Sequence, residues 1–321
     1  MAGSAKNWLI GCGLGCGLLI ALGVGLGAAG YFGVRHVAKR AEGLEAARDS
    51  LVARFGPPEA YVPPADGSLP PERIEAFLMA RHLMAPVRER TSRTLAVLDG
   101  TSGASLPARL RAGVDFVPHM LAFIEDRDRA LLKAGLGAGE YQYLYCLAYF
   151  DLLGKDPGDG PGFDVVARGD GGEGGRDWTL GSRRDSGGDS RRRETVRRER
   201  EDLVREELNR FQRENLRRQL ESLDAQGGGD GARAAWRARL AAELKRLTDE
   251  RRSLAWEQGL PPATQASLEP FRDRLEQSYD AMTGVLELHL DSDDEAKSGT
   301  AGDNGDGSHD GVRVRAGHDD A

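Results

Sequence analysis

Residues 8–34 have the sequence WLIGCGLGCGLLIALGVGLGAAGYFGV, which contains no charged side chain. A helix of this length measures about 40 Å at ~1.5 Å per residue, and the hydrocarbon core of a bilayer is ~30 Å thick. Trp8 at one end and Tyr31 and Phe32 at the other are residue types that favour the two membrane interfaces. Arg35 follows directly and would end the apolar segment. The stretch therefore predicts a single transmembrane helix.

Two alternatives to a permanent membrane helix stay open. The small residues Ala28 to Gly30 would suit cleavage of a signal peptide, although the apolar run is longer than the ~7–15 residues usual for such a region. Residues Leu9 to Cys12 form a lipoprotein-like box, but few apolar residues precede the cysteine and a long apolar run follows it. The transmembrane interpretation accounts for the whole stretch.

The glycines of this segment are spaced in a helical pattern. Gly11 and Gly15 are four positions apart, and so are Gly23 and Gly27. Small residues at this spacing let two helices approach closely within lipid, which predicts self-association through the membrane helix. The alternative is that the pairs reflect the composition of a chain that contains 43 glycines.

The charges beside the segment bear on its orientation. Lys6 and the amino terminus precede it, whereas Arg35, Lys39 and Arg40 follow it. The positive-inside rule then leans weakly toward a cytoplasmic C-terminal part. The difference is only about two charges, so the side of the membrane stays unresolved.

Composition divides the chain into five regions, and we predict a mostly α-helical fold. The regions are an N-terminal tail and transmembrane anchor (1–40), a small helical domain (41–154), a disordered Gly-rich linker (155–189), a charged helical hairpin or coiled-coil-like region (190–290) and a disordered acidic tail (291–321).

The small helical domain is predicted to contain four helices. The first lies near residues 44–55, and Pro86 is expected to kink or split the second. The fourth spans Glu140 to Leu153. The third has a predicted apolar stripe made of Leu110, Val114, Val117, Leu121, Ile124 and Leu131.

Three tyrosines in the fourth helix form a second stripe. Tyr141, Tyr145 and Tyr149 are four residues apart. One interpretation is that they fill a small core with their hydroxyls at its rim. The other is that they form a contact face for another protein.

The charged region is predicted to end in an amphipathic helix that packs on the helix before it. The stripe of this last helix consists of Leu268, Phe271, Leu275, Tyr279, Met282 and Leu286. Its expected partners are Trp236, Leu240, Leu244 and Leu247.

No pattern of catalytic, metal-binding or cofactor-binding residues is recognisable in the sequence. No two of the six histidines are four residues apart, and no Gly-x-Ser-x-Gly motif is present. Residues 191–223 contain eleven arginines against eight acids, which favours ion pairs along an exposed helix over nucleic-acid binding. We expect no catalytic residue, metal or cofactor.

These observations predict a non-enzymatic, membrane-tethered scaffold or interaction protein. Its expected partners are membrane lipid, unidentified proteins and a second copy, bound through the membrane helix or the coiled coil. The alternative is an enzyme or small-ligand-binding protein with a site in residues 41–154. A polar pocket lined by residues such as His119 and Tyr145 would favour that alternative.

Overall fold

The computed structural model describes most of the chain between residues 43 and 288. The described ranges are 43–99, 102–161, 167–168, 177–178, 190–227, 231–250 and 252–288. The predicted membrane helix with its glycine pairs, most of the Gly-rich linker and the acidic tail lie outside these ranges. Within them, no helix has both the length and the apolar character needed to cross a bilayer.

The prediction of a mostly helical chain is confirmed for this part. The helices are α1 (43–55), α2 (Pro71–Asp99), α3 (Leu106–Ala134), α4 (Ala138–Tyr145), α5 (Ser190–Ala225), α6 (Gly231–Asp249), α7 (Pro262–Leu268), α8 (Arg272–Ser278) and α9 (Gly284–Leu288). A π-helical turn, Cys146–Leu152, continues α4, and 3-10 turns span Pro58–Ala60 and Glu269–Phe271. The short strands β1 (Ala167–Arg168) and β2 (Asp177–Trp178) pair antiparallel.

Helices α2 and α3 form a long hairpin that is the centre of the fold. Pro71 begins α2 at the first helical position, where its missing N–H costs nothing. Pro86 does not split α2, which continues through it to Asp99. Met84 and Val87 are both buried and hold the helix against the core on either side of the proline. Tertiary packing thus overrides the local cost of the proline.

The stripe predicted for α3 is only partly buried. Ile124 and Leu131 are in the core, as expected for an inward face. Leu110 and Val114 are 55% and 77% exposed, so the prediction that they face a core is wrong. Among the described residues, α1 covers this side of α3 only from Glu125 onward, where Gly43 lies against the Glu125 carboxylate.

The helix predicted over Glu140 to Leu153 changes its winding at Cys146. Its first part is α-helical, and its second part is the π-helical turn. Gly139 allows the chain to approach the carbonyl of Pro58 so closely that a Cβ atom would clash with it. The start of α4 is therefore fixed by the 3-10 turn that lies across it.

Helices α5 and α6 form an antiparallel hairpin that packs on the rest of the core. Gly227 ends the first helix with a φ of 59°, a conformation that glycine adopts without strain. Leu208 of α5 and Leu240 of α6 are fully buried. Trp236 extends from α6 to the loop before α2, where its indole N–H donates to the Ala65 carbonyl at 2.6 Å.

The last predicted helix is broken, and its expected partner is wrong. Pro270 lies in a 3-10 turn between α7 and α8, and Tyr279 is extended after α8. Leu275 is fully buried, but α8 packs against α2 and the π-helical turn instead of α6. The periodicity correctly indicated a buried residue; it could not indicate the partner, because the chain turns twice within the stripe.

One hydrophobic core joins the two predicted helical regions. Leu51 and Phe77 from the first region and Leu208 and Leu275 from the second belong to the same buried cluster. The boundaries at 154 and 190 remain predictions from composition. The contacts nevertheless mean that the second region completes the interior of the first.

Replacement of Leu275 by Asp should destabilise the fold by several kcal/mol, because it would place an unpaired charge in the interior. Leu110→Asp is the matched control, since the same change at a half-exposed position should cost less than ~1 kcal/mol. Urea unfolding followed by circular dichroism measures both. Equal shifts of the two midpoints would show that the α8 segment is not packed in solution.

Candidate functional site

A buried arginine on α2 organises a polar cluster in the interior. Arg81 follows Phe77 by four residues and precedes Met84 by three, which places it on the inward face of the helix. Its side chain is completely buried. Arg88 lies two turns further on and is 8% exposed. A charge placed in this way requires acceptors from other parts of the chain.

The tyrosine stripe surrounds this guanidinium. Arg81 Nη1 donates to the hydroxyl of Tyr141 at 3.1 Å. Its central carbon lies 5.4 Å from the ring centroid of Tyr145 and 5.0 Å from that of Tyr149. These distances are typical of cation–π contacts, which are strongest where water is excluded.

The segment from Ser278 to Leu288 closes the cluster on the other side. Glu287 forms an ion pair with Arg81, and both side chains are fully buried. The Glu287 carboxylate also accepts from the Tyr141 hydroxyl at 2.7 Å and from Thr283 Oγ1 at 2.8 Å. Arg81 therefore balances the charge of this carboxylate, and the hydroxyls of Tyr141 and Thr283 complete its hydrogen bonds.

Ser278 supplies two further partners, while Arg81 Nε, Arg88 Nε and the Tyr145 hydroxyl are buried without a hydrogen-bond partner among the described residues. Its carbonyl oxygen accepts from both Arg81 and Arg88. Its hydroxyl lies 2.7 Å from that of Tyr149. Nearby, the Ser92 hydroxyl lies 2.9 Å and 2.8 Å from the two carboxylate oxygens of Asp280. We call the seven residues Arg81, Arg88, Tyr141, Tyr145, Tyr149, Ser278 and Glu287 the Arg81 cluster.

Burial favours the neutral form of two phenols of this cluster, Tyr141 and Tyr145. Burial raises the pKa of Tyr141 and raises that of Tyr145 further, and the positive charge of Arg81 opposes both shifts. Burial also lowers the pKa of Arg88, and the neighbouring Arg81 charge lowers it further. The two guanidiniums thus repel each other, and the shared carbonyl of Ser278 offsets this repulsion.

The interpretation of the tyrosines as a contact face for another protein is corrected by this arrangement. Tyr141, Tyr145 and Tyr149 are at most 1% exposed and contact residues of the same chain. The core interpretation is closer, but their hydroxyls are not at a rim. The Tyr145 hydroxyl lies 3.0 Å from where a Cβ on Gly284 would stand, so the stripe is covered by the approach to α9.

A second polar site lies between the π-helical turn and α5. It is a cavity of about 20 Å³, which is room for about one water molecule. Four buried polar atoms at the cavity lack a hydrogen-bond partner: Asp151 Oδ1, Gln212 Nε2, and Nδ2 and Oδ1 of Asn215. Cys146 also lines the cavity.

The titratable groups of this cavity are held in their neutral forms. Burial raises the pKa of Asp151 to about 8, although a backbone hydrogen bond from Trp256 opposes the shift. Burial also raises the pKa of the Cys146 thiol, and the charge of Asp151 adds to that effect. A thiol with a raised pKa is a poor nucleophile, so the site is not arranged for catalysis by Cys146.

The remaining candidate residues do not assemble into a site. In the part of the chain that the structure describes, no group of three or more His, Cys, Asp or Glu side chains is placed to hold a metal ion. His119 Nδ1 lies 2.9 Å from Thr94 Oγ1 where α3 meets α2. Tyr145 belongs instead to the Arg81 cluster.

Comparison with known proteins adds no relative. No family model, curated protein or solved structure matches the chain.

One feature of the sequence pointed to the Arg81 cluster, and the search for apolar periodicity did not take it into account. Arg81 and Arg88 interrupt the apolar face of α2 at positions where a buried residue is expected. A charge on an inward face calls for a buried partner. The partner, Glu287, could not be identified because it lies 206 residues further along the chain in a five-residue helix.

Glu287→Gln should lower the free energy of unfolding by about 3–5 kcal/mol, because it leaves the buried Arg81 without its counter-charge. Glu276→Gln removes the partner of Lys155 at a carboxylate that is 60% exposed, so that control should cost less than ~1 kcal/mol. Urea unfolding measures the free energy of unfolding of both variants and of the parent. If Glu287→Gln behaves like the control, the pair does not form in solution.

Asp151→Asn should stabilise the protein increasingly as the pH rises. The pKa of Asp151 is raised in the folded state, so the folded chain holds a proton that the unfolded chain loses above its ordinary pKa near ~3.9. Asp151 therefore opposes folding by up to about 1.4 kcal/mol for each pH unit between ~3.9 and about 8, and by a constant amount above that.

The amide variant has no proton to lose, so its advantage over the parent should be absent at pH 4 and greatest near pH 8. Unfolding free energies measured across this range test the expectation, with the exposed Asp49→Asn as control. A difference between variant and parent that does not change with pH would contradict it.

Proposed function

We propose that the chain is a single-pass, membrane-anchored helical protein that acts through protein contacts at the membrane surface and not by catalysis. The observation that carries this proposal is the position of α1. Only eight residues, 35–42, separate the end of the apolar stretch at Val34 from the helix over residues 43–55. Ala47 and Leu51 bury this helix in the core.

The short connection fixes how far the folded body can lie from the bilayer. Residues 35–42 span at most ~29 Å when fully extended, at ~3.3–3.6 Å per residue. Because α1 is packed into the core from Ala47 onward, the helix adds no flexible length to the connection. A chain anchored through residues 8–34 would therefore hold its helical body against the membrane surface.

The interior supports a role in interaction over one in catalysis. The Arg81 cluster uses its charges within the chain, and Cys146 and Asp151 are buried in neutral forms. The glycine pairs of residues 8–34 and a coiled-coil contact through α5 are two routes by which a second copy would join. Arg35, Lys39 and Arg40 favour placing the body on the cytoplasmic side.

A small-ligand-binding protein is the second candidate, and the unpartnered atoms of the Asp151 cavity favour it. Asp151, Gln212 and Asn215 would supply hydrogen bonds to a bound group. A volume of about 20 Å³ suits a water-sized species and not a metabolite. We therefore favour the anchored interaction protein.

Deletion of residues 8–34 should release the protein from the membrane fraction, because the described helices contain no other segment able to span. Deletion of 291–321, a segment of similar length, is the control and should leave the protein in the membrane. Cell fractionation followed by a carbonate wash measures both. Retention of the chain that lacks 8–34 would show that this segment is not the anchor.

A further inference from the structure

An apolar stripe on the first half of α3 is left uncovered by the described part of the chain. Leu106, Leu110 and Val114 lie four residues apart and are 67%, 55% and 77% exposed. Arg109 and Arg111 are exposed and flank Leu110 on the two sides of the stripe, and Arg111 also forms an exposed ion pair with Asp115 at 3.7 Å. Apolar residues between basic ones on a helix are the pattern of a segment that lies in a membrane interface.

The direction of α1 places this stripe at the end of the molecule where the anchor enters. Gly43, at the start of α1, lies against the carboxylate of Glu125 on α3. At the other end, Arg54 Nη1 donates to the Leu132 carbonyl at 3.4 Å. Both helices therefore run in the same direction, and α3 extends backward past the start of α1.

The length of this extension matches the reach of the connection to the anchor. From the level of Glu125 back to Leu106, α3 extends by about 28 Å at ~1.5 Å per residue. Residues 35–42 reach at most ~29 Å when extended and less in any other conformation. With α3 pointing toward the bilayer, its first turns would reach the surface when the connection is fully extended, and a shorter connection would press them into the membrane or tilt the body.

We propose that the first half of α3 docks on the bilayer, with Leu106, Leu110 and Val114 among the headgroups and upper acyl chains. Arg109 and Arg111 would contact anionic headgroups on either side. The proposal rests on the proposed membrane anchor. It assigns a second, peripheral membrane contact to the folded body and thereby fixes the orientation of the body on the surface.

Lipid fits this stripe better than a protein partner does. Three side chains along little more than two turns of one helix offer far less area than the ~1,200–2,000 Å² that a stable protein interface buries. Residues 8–34 are also a poor match for the stripe. They carry apolar side chains on all sides, and the narrow stripe would cover only one of those sides. A bilayer, by contrast, would lie close to the stripe, because the short connection of residues 35–42 keeps the folded body near the membrane.

The test places a fluorescent label at position 114 in the full chain. Cys12 and Cys16 are changed to Ala, Cys146 is buried and unreactive to the label, and Val114→Cys carries the dye. Val52→Cys is the matched control, because Val52 is also exposed but lies on α1 away from the first half of α3. The chain is reconstituted into phosphatidylcholine and phosphatidylglycerol vesicles whose acyl chains carry bromine, which quenches dyes that contact them.

We expect quenching at position 114 to be several-fold stronger than at position 52, and Leu110→Asp to abolish the difference. A chain that inserts into the vesicles but shows equal quenching at both positions would overturn this inference alone. Protection of the dye from water without quenching by bromine would also overturn it, in favour of cover by a second copy or by residues 8–34. A chain washed off the vesicles by carbonate would overturn the proposed anchor and this inference together.

Discussion

The buried charge of Arg81 is the constraint on which the rest of the structure depends. An ionised guanidinium in the interior is costly unless its charge is balanced and its N–H groups are paired. Arg81 meets this requirement through its two Nη atoms, while its Nε has no partner among the described residues. The tyrosine stripe of α4 and the π-helical turn supplies one acceptor and two aromatic faces. The balance is completed by Glu287 and the Ser278 carbonyl, which lie about two hundred residues away. The C-terminal segment is thus held by electrostatics as well as by apolar packing.

This constraint explains why the end of the described chain, residues 262–288, folds back on its first helices. Helices α7 to α9 are short, and such helices are not stable alone in water. Each is fixed by a contact with the earlier helices: Leu275 is buried beside α2, and Glu287 is fixed by Arg81. The connecting residues adopt non-helical conformations because these contacts, and not local propensity, decide their positions.

The same arrangement separates the interior from the surfaces that face partners. The tyrosines, whose spacing suggested a contact face, are enclosed with Arg81, whereas apolar residues of α3 that were predicted to be buried are exposed. The exposed part of α3 lies beyond the start of α1, on the side from which the N-terminal segment enters. The surface that we propose for contacts outside the chain is therefore not α4 but the exposed first part of α3.

The sequence by itself determined the helical class, the positions of most helices and the burial of individual residues such as Leu275. These depend on periodicity, turn residues and prolines, which act over a few positions. Only the tertiary structure decided that α8 packs on α2, that Glu287 pairs with Arg81 and that Val114 is uncovered. The physical reason is that a periodic pattern shows which face of a helix avoids water. It contains no information on which distant segment will cover that face, or on whether any segment will.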